Sequence, residues 1–345
     1  MLLVLVMGAA VTNTGSAEGC GRSWPLCNGQ FLPEFTVGTA IEYSHRAVTG
    51  LEGLLVVGLT VAMLTLWRRQ REVTVLALLM LGTLLLQAGL GAGAVLWPQS
   101  PLMLATHFGV SLVAFASTFL SAVVVYERTG GAQGKHVEPP VPGRFRNFAL
   151  GVGAYVLVVV YLGAYVRHAG VSLACVDWPL CNGQLVPALD GPSAVVFAHR
   201  VAALGAVVLL GALALTARST RRMAVGAFGL GILQALSGAI VVWSRLGLFS
   251  TLLHAALMGL LFAALASIVL QTLRHRERND SVAFVHTLSD ATARGLQQPE
   301  SASIPHALVA TASALSGADE RRTVADDGRG ERTVPGTAQR APGAE

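Results

Sequence analysis

The sequence predicts an all-α integral membrane protein with eight transmembrane helices in two pseudo-symmetric four-helix bundles. Hydrophobic residues make up 53% of the 345 residues and charged residues only 12%, which is about half the charged fraction of a soluble domain. The heptapeptide Trp-Pro-Leu-Cys-Asn-Gly-Gln occurs at residues 24–30 and again at 178–184. The composition therefore indicates a membrane protein, and the duplicated heptapeptide indicates an internal repeat.

Seven apolar runs are each long enough for the roughly 20 residues that cross a bilayer, and only a helix satisfies their backbone groups in lipid. They cover residues 48–67, 73–96, 102–125, 147–167, 195–217, 223–242 and 248–272. An eighth run, residues 1–11, is too short to cross at about 1.5 Å per residue. The first helix is therefore expected to be truncated or to begin upstream. A cleaved signal peptide is the alternative, although no basic leading region or small-residue cleavage site is visible.

The repeat predicts an N-terminal bundle at residues 1–126, a cytoplasmic linker at 127–146 and a C-terminal bundle at 147–274. Residues 275–345 are rich in Ala, Ser, Gly and charged residues, which predicts a disordered tail. Basic residues concentrate in alternate linkers, at residues 68–72, 126–146 and 218–222. The positive-inside rule then places both termini in the cytoplasm and the cysteine loops outside the cell membrane. It also explains the net charge of +5 without a nucleic-acid partner.

All four cysteines lie in the two predicted outer loops, as Cys20 with Cys27 and as Cys175 with Cys181. An oxidising compartment lets disulfides persist, so each pair can be a structural cross-link within its loop. A pair that also takes part in redox chemistry is the alternative, because a short exposed loop is easily reduced. The spacings are too wide to favour a zinc site built from four cysteines.

Four histidines lie in or beside the predicted spans and recur between the halves. His45 corresponds to His199, and each follows the last cysteine of its loop by 18 residues. His107 corresponds to His254 in the same way, relative to a preceding glutamine. Polar groups in a membrane tend to mark function, and imidazoles offered by two helices at one height suit haem iron. A hydrogen-bonded polar role is the alternative for any one of them alone.

An arginine follows each outer histidine, and an acid precedes only one of them. Arg46 and Arg200 can meet haem propionates at the interface or act as snorkelling anchors. Glu42 precedes His45 by three residues, which puts both on one helical face, whereas the matching residue in the second half is Val196. The first half is therefore predicted to be the reactive one. Capping of the helix start is the alternative role for Glu42.

A second acid, Glu52, lies seven residues after His45 and two turns deeper on the same face. This position falls inside the predicted bilayer region, where an ionisable group is costly. Glu52 is expected to handle protons or to pair with a basic residue that the sequence does not identify.

Several stretches resemble heme A synthases of the bacterial type over residues 1–275. They read VTNTGS at 11–16, GCGRSWPLC at 19–27, EYSHR at 42–46 and YLGAYVRH at 161–168, together with the downstream histidines. The resemblance implies that His199 and His254 bind a heme b cofactor. It also implies that His45 and His107 bind the iron of the substrate, heme O. Glu42, Cys20 and Cys27 would be catalytic, with Cys20–Cys27 and Cys175–Cys181 as disulfides.

The reaction that the resemblance implies oxidises one methyl group of heme O to a formyl group, giving heme A for terminal oxidases. Water is the implied source of oxygen. The implied partners are heme O synthase and an electron acceptor in the membrane, and a homo-oligomer is a further alternative. A bis-histidine b-type cytochrome acting only in electron transfer is the first rival, and the acid present in one half argues against it. A transporter is the second rival, but transporters usually place their polar groups at the midplane of the bilayer.

Overall fold

The computed structural model describes residues 1–34, 36–97, 100–130 and 142–296, with side chains described as far as residue 274. Within these ranges the protein has eight helices and, apart from two isolated bridges, no β structure. Seven helices are long and apolar enough to cross a membrane. The eight are α1 Leu2–Asn13, α2 Val37–Leu66, α3 Arg71–Leu96, α4 Pro101–Arg128, α5 Gly143–His168, α6 Gly191–Thr216, α7 Arg221–Trp243 and α8 Leu248–Leu296. The prediction of an all-α membrane protein is confirmed.

Helix α2 begins well before the apolar run that predicted it. It starts at Val37 rather than at residue 48, because the Thr36 side chain caps it by accepting a hydrogen bond from the Thr39 N–H at 3.2 Å. Glu42 consequently lies in the second turn, and the cap that was the alternative role for it is supplied by Thr36. The candidate site residues of α2 therefore lie in its polar first turns, before the apolar part of the helix begins.

Helix α8 continues beyond its predicted end to Leu296, which corrects the prediction of disorder for residues 275–296. No glycine or proline occurs between Arg274 and Gly295, so nothing in the local sequence ends the helix sooner. Residues 297–345, also predicted to be disordered, lie outside the described residues, as do residues 131–141 of the predicted linker.

Buried apolar clusters bind the helices together. One joins α5, α6, α7 and α8 through side chains such as Val156, Leu210, Ala227 and Leu265. Another joins α2, α3 and α4, with Leu270 of α8 packed against it. Residues Met1–Ser281 therefore form one compact unit, and the predicted boundaries between two bundles stay a prediction. A third cluster joins the two sets of helices and consists of Leu5, Leu112, Val160 and Ala255.

Ion pairs join α3, α4 and α8 at the ends of these helices that lie away from the cysteine loops. Arg274 pairs with Glu72 and, at 2.9 Å, with Glu127, while Arg128 pairs with Glu72 at 3.3 Å. A network of several partly buried charges holds helix ends together more effectively than an isolated surface pair. The helix ends that carry the histidines are on the opposite side, beside the loops.

Candidate functional site

The repeated heptapeptide closes the same tight turn in both halves. Asn28 and Gly29 have φ values of 52° and 76°, and Asn182 and Gly183 have values of 54° and 78°. Positive φ at both central residues defines a type I′ turn, for which Asn-Gly is the preferred pair. In the first turn the N–H of Cys27 donates to the Gln30 carbonyl at 3.1 Å, and the reverse bond is 2.9 Å. The heptapeptide therefore places one cysteine of each loop at the base of a rigid turn.

The cysteines form two disulfides, Cys20–Cys27 and Cys175–Cys181, which confirms the cross-links within each loop. All four side chains are almost completely buried, with exposed fractions of 0% or 1%. No free thiol remains for a zinc site. A redox role for Cys20 and Cys27 stays a prediction.

Arg46 ties the first cysteine loop to α2. Its guanidinium donates to the carbonyl oxygens of Ser23 at 2.7 Å and Leu26 at 3.0 Å, and it pairs with Glu42 Oε1 at 2.5 Å. Loop anchoring was not among the roles considered for this arginine from the sequence. The guanidinium is a planar, rigid group with several N–H donors, so it can bind several carbonyl oxygens at once.

Arg200 does the same for the second loop. It donates to the carbonyl of Leu180 at 2.6 Å and to that of Cys175 at 3.2 Å. The predicted contact of either arginine with haem propionates stays a prediction. Both guanidiniums lie beside the histidine that precedes them, so they remain at the level of the candidate site.

Glu42 is held between the helix and the disulfide loop. Its Oε2 accepts a hydrogen bond of 2.8 Å from the backbone N–H of Cys20, and its side chain is buried, with 3% of the residue exposed. In the second half the equivalent residue, Val196, packs against Cys175 and Cys181. The first half therefore has a buried, paired carboxylate where the second half has an apolar contact with its disulfide.

Each of the four histidine rings lies against a glycine on a neighbouring helix. A Cβ built on the glycine would lie 2.6 Å from His199 Cε1 and 3.3 Å from the Cε1 atom of each of the other three rings. Any larger residue would push the ring aside or force the helices apart. The contacts pair Gly8 with His45, Gly91 with His107, Gly163 with His199 and Gly238 with His254.

The two histidines of each half lie near each other. His45 lies within electrostatic range of His107, and His254 lies within range of His199. His168, at the end of α5, is half-buried and lies within electrostatic range of His107. Its neighbour Arg167 donates to the Thr12 carbonyl and the Asn13 side chain of α1, so the end of α5 contacts the first half.

The donor set fits haem iron better than a bare metal ion. No cluster of three or more His, Cys, Asp or Glu side chains that could hold an ion occurs among the described residues. Paired imidazoles are sufficient when a porphyrin supplies the other four ligands of the iron. The Nδ1 atoms of His45, His107 and His199 are buried and lack a hydrogen-bond partner in the described part of the chain.

The surroundings of His254 are more polar than those of the other three. Its Nδ1 lies 2.8 Å from Ser237 Oγ, and the Gln234 amide nitrogen lies 3.2 Å from both ring nitrogens. Gln87 is the counterpart of Gln234 in the first half, and its Oε1 is buried without a partner in the described ranges. Sequence reasoning identified the glutamines but missed Ser237, which stands where the first half has Leu90.

Glu52 is buried in α2, and its Oε1 lies 2.8 Å from the amino group of Met1. The sequence could not identify a partner for this acid, because an α-amino group is not visible as a side chain. The equivalent residue in α6 is Ala206, so this acid too is specific to the first half.

The chain resembles known proteins over most of its length. The family model for a cytochrome oxidase assembly protein, COX15-CtaA, matches residues 31–266. A heme A synthase of Symbiobacterium thermophilum is 44% identical over 271 residues, which cover 75% of this chain and 87% of the relative. The heme A synthase of Geobacillus kaustophilus is 40% identical over 289 residues, covering 80% and 89%. That of Bacillus licheniformis is 42% identical over 292 residues, covering 81% and 94%.

Proposed function

The chain belongs to the COX15-CtaA family, which includes the heme A synthases, and we propose that it converts heme O into heme A. The reaction oxidises one methyl group of the porphyrin to a formyl group. The single observation that carries the proposal is the pairing of His45 with His107 beside a buried carboxylate, Glu42, in a chain of this family.

The chemistry requires water and an electron acceptor. A methyl group and one water molecule give a formyl group, four protons and four electrons, in two successive two-electron oxidations. The electrons pass to an acceptor in the membrane, and the protons must leave a largely apolar site. A group that accepts protons near the substrate is therefore needed, and its pKa and position decide the rate.

We assign the first half to the substrate. His45 and His107 would bind the iron of heme O through nitrogen atoms from two helices, with Gly8 and Gly91 leaving space for the rings. Among the described residues, no side chain hydrogen-bonds to the Nδ1 of either imidazole. Weakly fixed ligands suit a substrate that must bind and leave.

Glu42 is the proposed base. Its carboxylate is paired with Arg46 and hydrogen-bonded to Cys20 N–H, which fixes its orientation. Each carboxylate oxygen can accept a further hydrogen bond, so a water molecule can still be oriented by it. Glu42 would take a proton from that water as it attacks, or stabilise positive charge that develops on the oxidised carbon.

The second half is the proposed heme b site, with His199 and His254 as ligands and Arg200 beside them. The residues fit such a group, because His199 and His254 present imidazoles from two helices within electrostatic range of each other, and Gly163 leaves just enough space for the His199 ring. When bound there, heme b would supply a one-electron carrier. Val196 in place of an acid leaves this half without a base for methyl oxidation.

Cys20 and Cys27 belong to the proposed catalytic site because their loop holds Glu42. Reduction of their disulfide would loosen the loop that presents the Cys20 N–H to the carboxylate. Cys175 and Cys181 form the equivalent cross-link next to Val196, where there is no acid to position. We further propose that heme O arrives from heme O synthase and that the cysteine loops face outward, with both termini in the cytoplasm.

The experiment that tests this function is an inventory of the haems extracted from the purified protein, with and without supplied heme O. We expect heme b in both samples, and heme A with its hydroxylated precursor only when heme O is present. His199→Ala should remove the heme b spectrum, while His45→Ala should keep it and lose product. Heme b alone in every sample would instead support the b-type cytochrome that carries electrons only.

A further inference from the structure

The hydrogen bonds of Ser237 favour one of the two tautomers of His254. The Ser237 hydroxyl donates to the Gln234 carbonyl at 2.8 Å, and its oxygen lies 2.8 Å from His254 Nδ1. A serine hydroxyl has one proton, and here that proton is committed to the carbonyl. Ser237 Oγ therefore faces the ring as an acceptor, and His254 Nδ1 carries the hydrogen.

This arrangement leaves the lone pair on the other nitrogen. In a neutral imidazole with hydrogen on Nδ1, Nε2 is the atom able to bind a metal. Ser237 is buried, with 2% of the residue exposed, so bulk water does not compete for the ring. The Gln234 amide lies 3.2 Å from Nε2 and can donate to that lone pair until a metal takes it.

The first half has no serine equivalent to Ser237. Leu90 stands at the position of Ser237, so no hydroxyl occupies this place beside the His107 ring. The two halves thus present equivalent histidines with unequal support. A ligating histidine whose second N–H is hydrogen-bonded is better oriented and more basic than one without that bond.

We propose that Ser237 is a positioning residue for His254, and that it makes the second half retain its haem while Leu90 leaves the first half able to exchange its own. This inference rests on the proposed function, namely on heme b at His199 and His254. Ser237 accepts the Nδ1–H, fixes the tautomer and gives the ligand partial imidazolate character. That character favours ferric over ferrous iron, so the serine also lowers the midpoint potential of the haem.

The test uses the full-length protein purified with its haem. Ser237→Ala removes the acceptor, and Ser237→Thr restores a hydroxyl at the same place. Ser117→Ala is the matched control, because Ser117 is also a buried helical serine bonded to the carbonyl three residues back, with no histidine contact in the described ranges. Two quantities are measured: the rate of haem transfer to apomyoglobin and the midpoint potential by optical redox titration.

We expect Ser237→Ala to keep a low-spin spectrum but to lose haem about 10- to 100-fold faster, with a more positive potential. Ser237→Thr and Ser117→Ala should resemble the unaltered protein. If the spectrum requires His254 while Ser237→Ala matches the unaltered protein in both measurements, Ser237 has no positioning role and the proposed function stands. If His254→Ala leaves the spectrum unchanged, the heme b assignment fails, and this inference fails with it.

Discussion

The backbone N–H of Cys20 donates a hydrogen bond of 2.8 Å to Oε2 of Glu42, across 22 residues of sequence. The bond joins the first disulfide loop to the only acid that stands beside a paired histidine in α2 or α6. With Arg46 on the other carboxylate oxygen, it fixes Glu42 from two sides. Acid, arginine and disulfide therefore act as one structural unit in the proposed substrate half.

Replacing Glu42 should stop catalysis without removing heme b. Glu42→Gln keeps the size of the side chain and can accept from Cys20 N–H, but it loses the negative charge. We expect turnover of heme O to fall by about 10²- to 10⁴-fold, the usual contribution of a general base. Product is measured by haem extraction and mass analysis, and heme b by its absorbance. Glu18→Gln, an exposed acid in the same loop, is the control, and near-normal turnover in Glu42→Gln would rule out the assigned role.

Adding a methyl group at Gly163 should displace His199. The new Cβ would lie 2.6 Å from Cε1 of the ring, closer than real contacts allow, so the ring must rotate or α5 must move. We expect the haem content per protein, measured as pyridine haemochrome, to fall sharply in Gly163→Ala. Gly153→Ala on the same helix meets nothing within 4 Å and should keep its haem. At Gly238 the new Cβ would lie 3.3 Å from His254 Cε1, a milder clash, so Gly238→Ala should lose an intermediate amount of haem. Equal haem contents in all three variants would contradict this account.

Each arginine should protect its own disulfide. Arg200→Ala removes two hydrogen bonds to loop carbonyls. Together these bonds stabilise the folded loop by about 1 to 3 kcal/mol. We expect faster reduction of Cys175–Cys181 by dithiothreitol, measured by mass spectrometry after alkylation, with Cys20–Cys27 unaffected. Arg46→Ala should show the opposite selectivity. Equal sensitisation of both disulfides by either variant would show that the loops do not depend on their own arginines.

Acid should loosen the second loop and spare the first. The hydrogen bond from Gly183 N–H, followed by that from Asn182 N–H, lowers the pKa of Asp177 below its ordinary value of 3.8. The carboxylate therefore stabilises the turn above about pH 3.8, and this stabilisation is lost as the pH falls through the lowered value. The first loop has Ser23 at this position, whose hydroxyl accepts from Gly29 N–H and does not titrate in this range.

Hydrogen exchange of the two loops measures this difference. After correction for the intrinsic pH dependence, the protection of residues 176–184 should decline in acid while that of residues 22–30 stays constant. Asp177→Asn should abolish the difference between the loops. Parallel loss of protection in both loops would mean that acid acts on the protein as a whole rather than on Asp177.

Residue patterns were sufficient for the membrane spans, whereas the grouping of the histidines into two haem sites stays a prediction. Hydropathy is a local property that adds up along the chain, so seven spans could be placed within a few residues of most helix ends. The start of α2 was missed because its first turns are polar and are stabilised by the Thr36 cap rather than by lipid. The end of α8 was missed because a polar composition does not by itself prevent a helix from continuing.

The duplicated heptapeptide and the repeated histidines and cysteines by themselves predict two related sites in this membrane protein, because repeated spacing puts equivalent groups at equivalent depths. Only the tertiary structure decided what each polar group contacts: Glu42 with Cys20, Arg46 and Arg200 with loop carbonyls, and Ser237 with His254. Most of these partners are 17 or more residues apart. A hydrogen bond depends on distances of a few tenths of an ångström, which the order of residues does not encode and the packing of helices does.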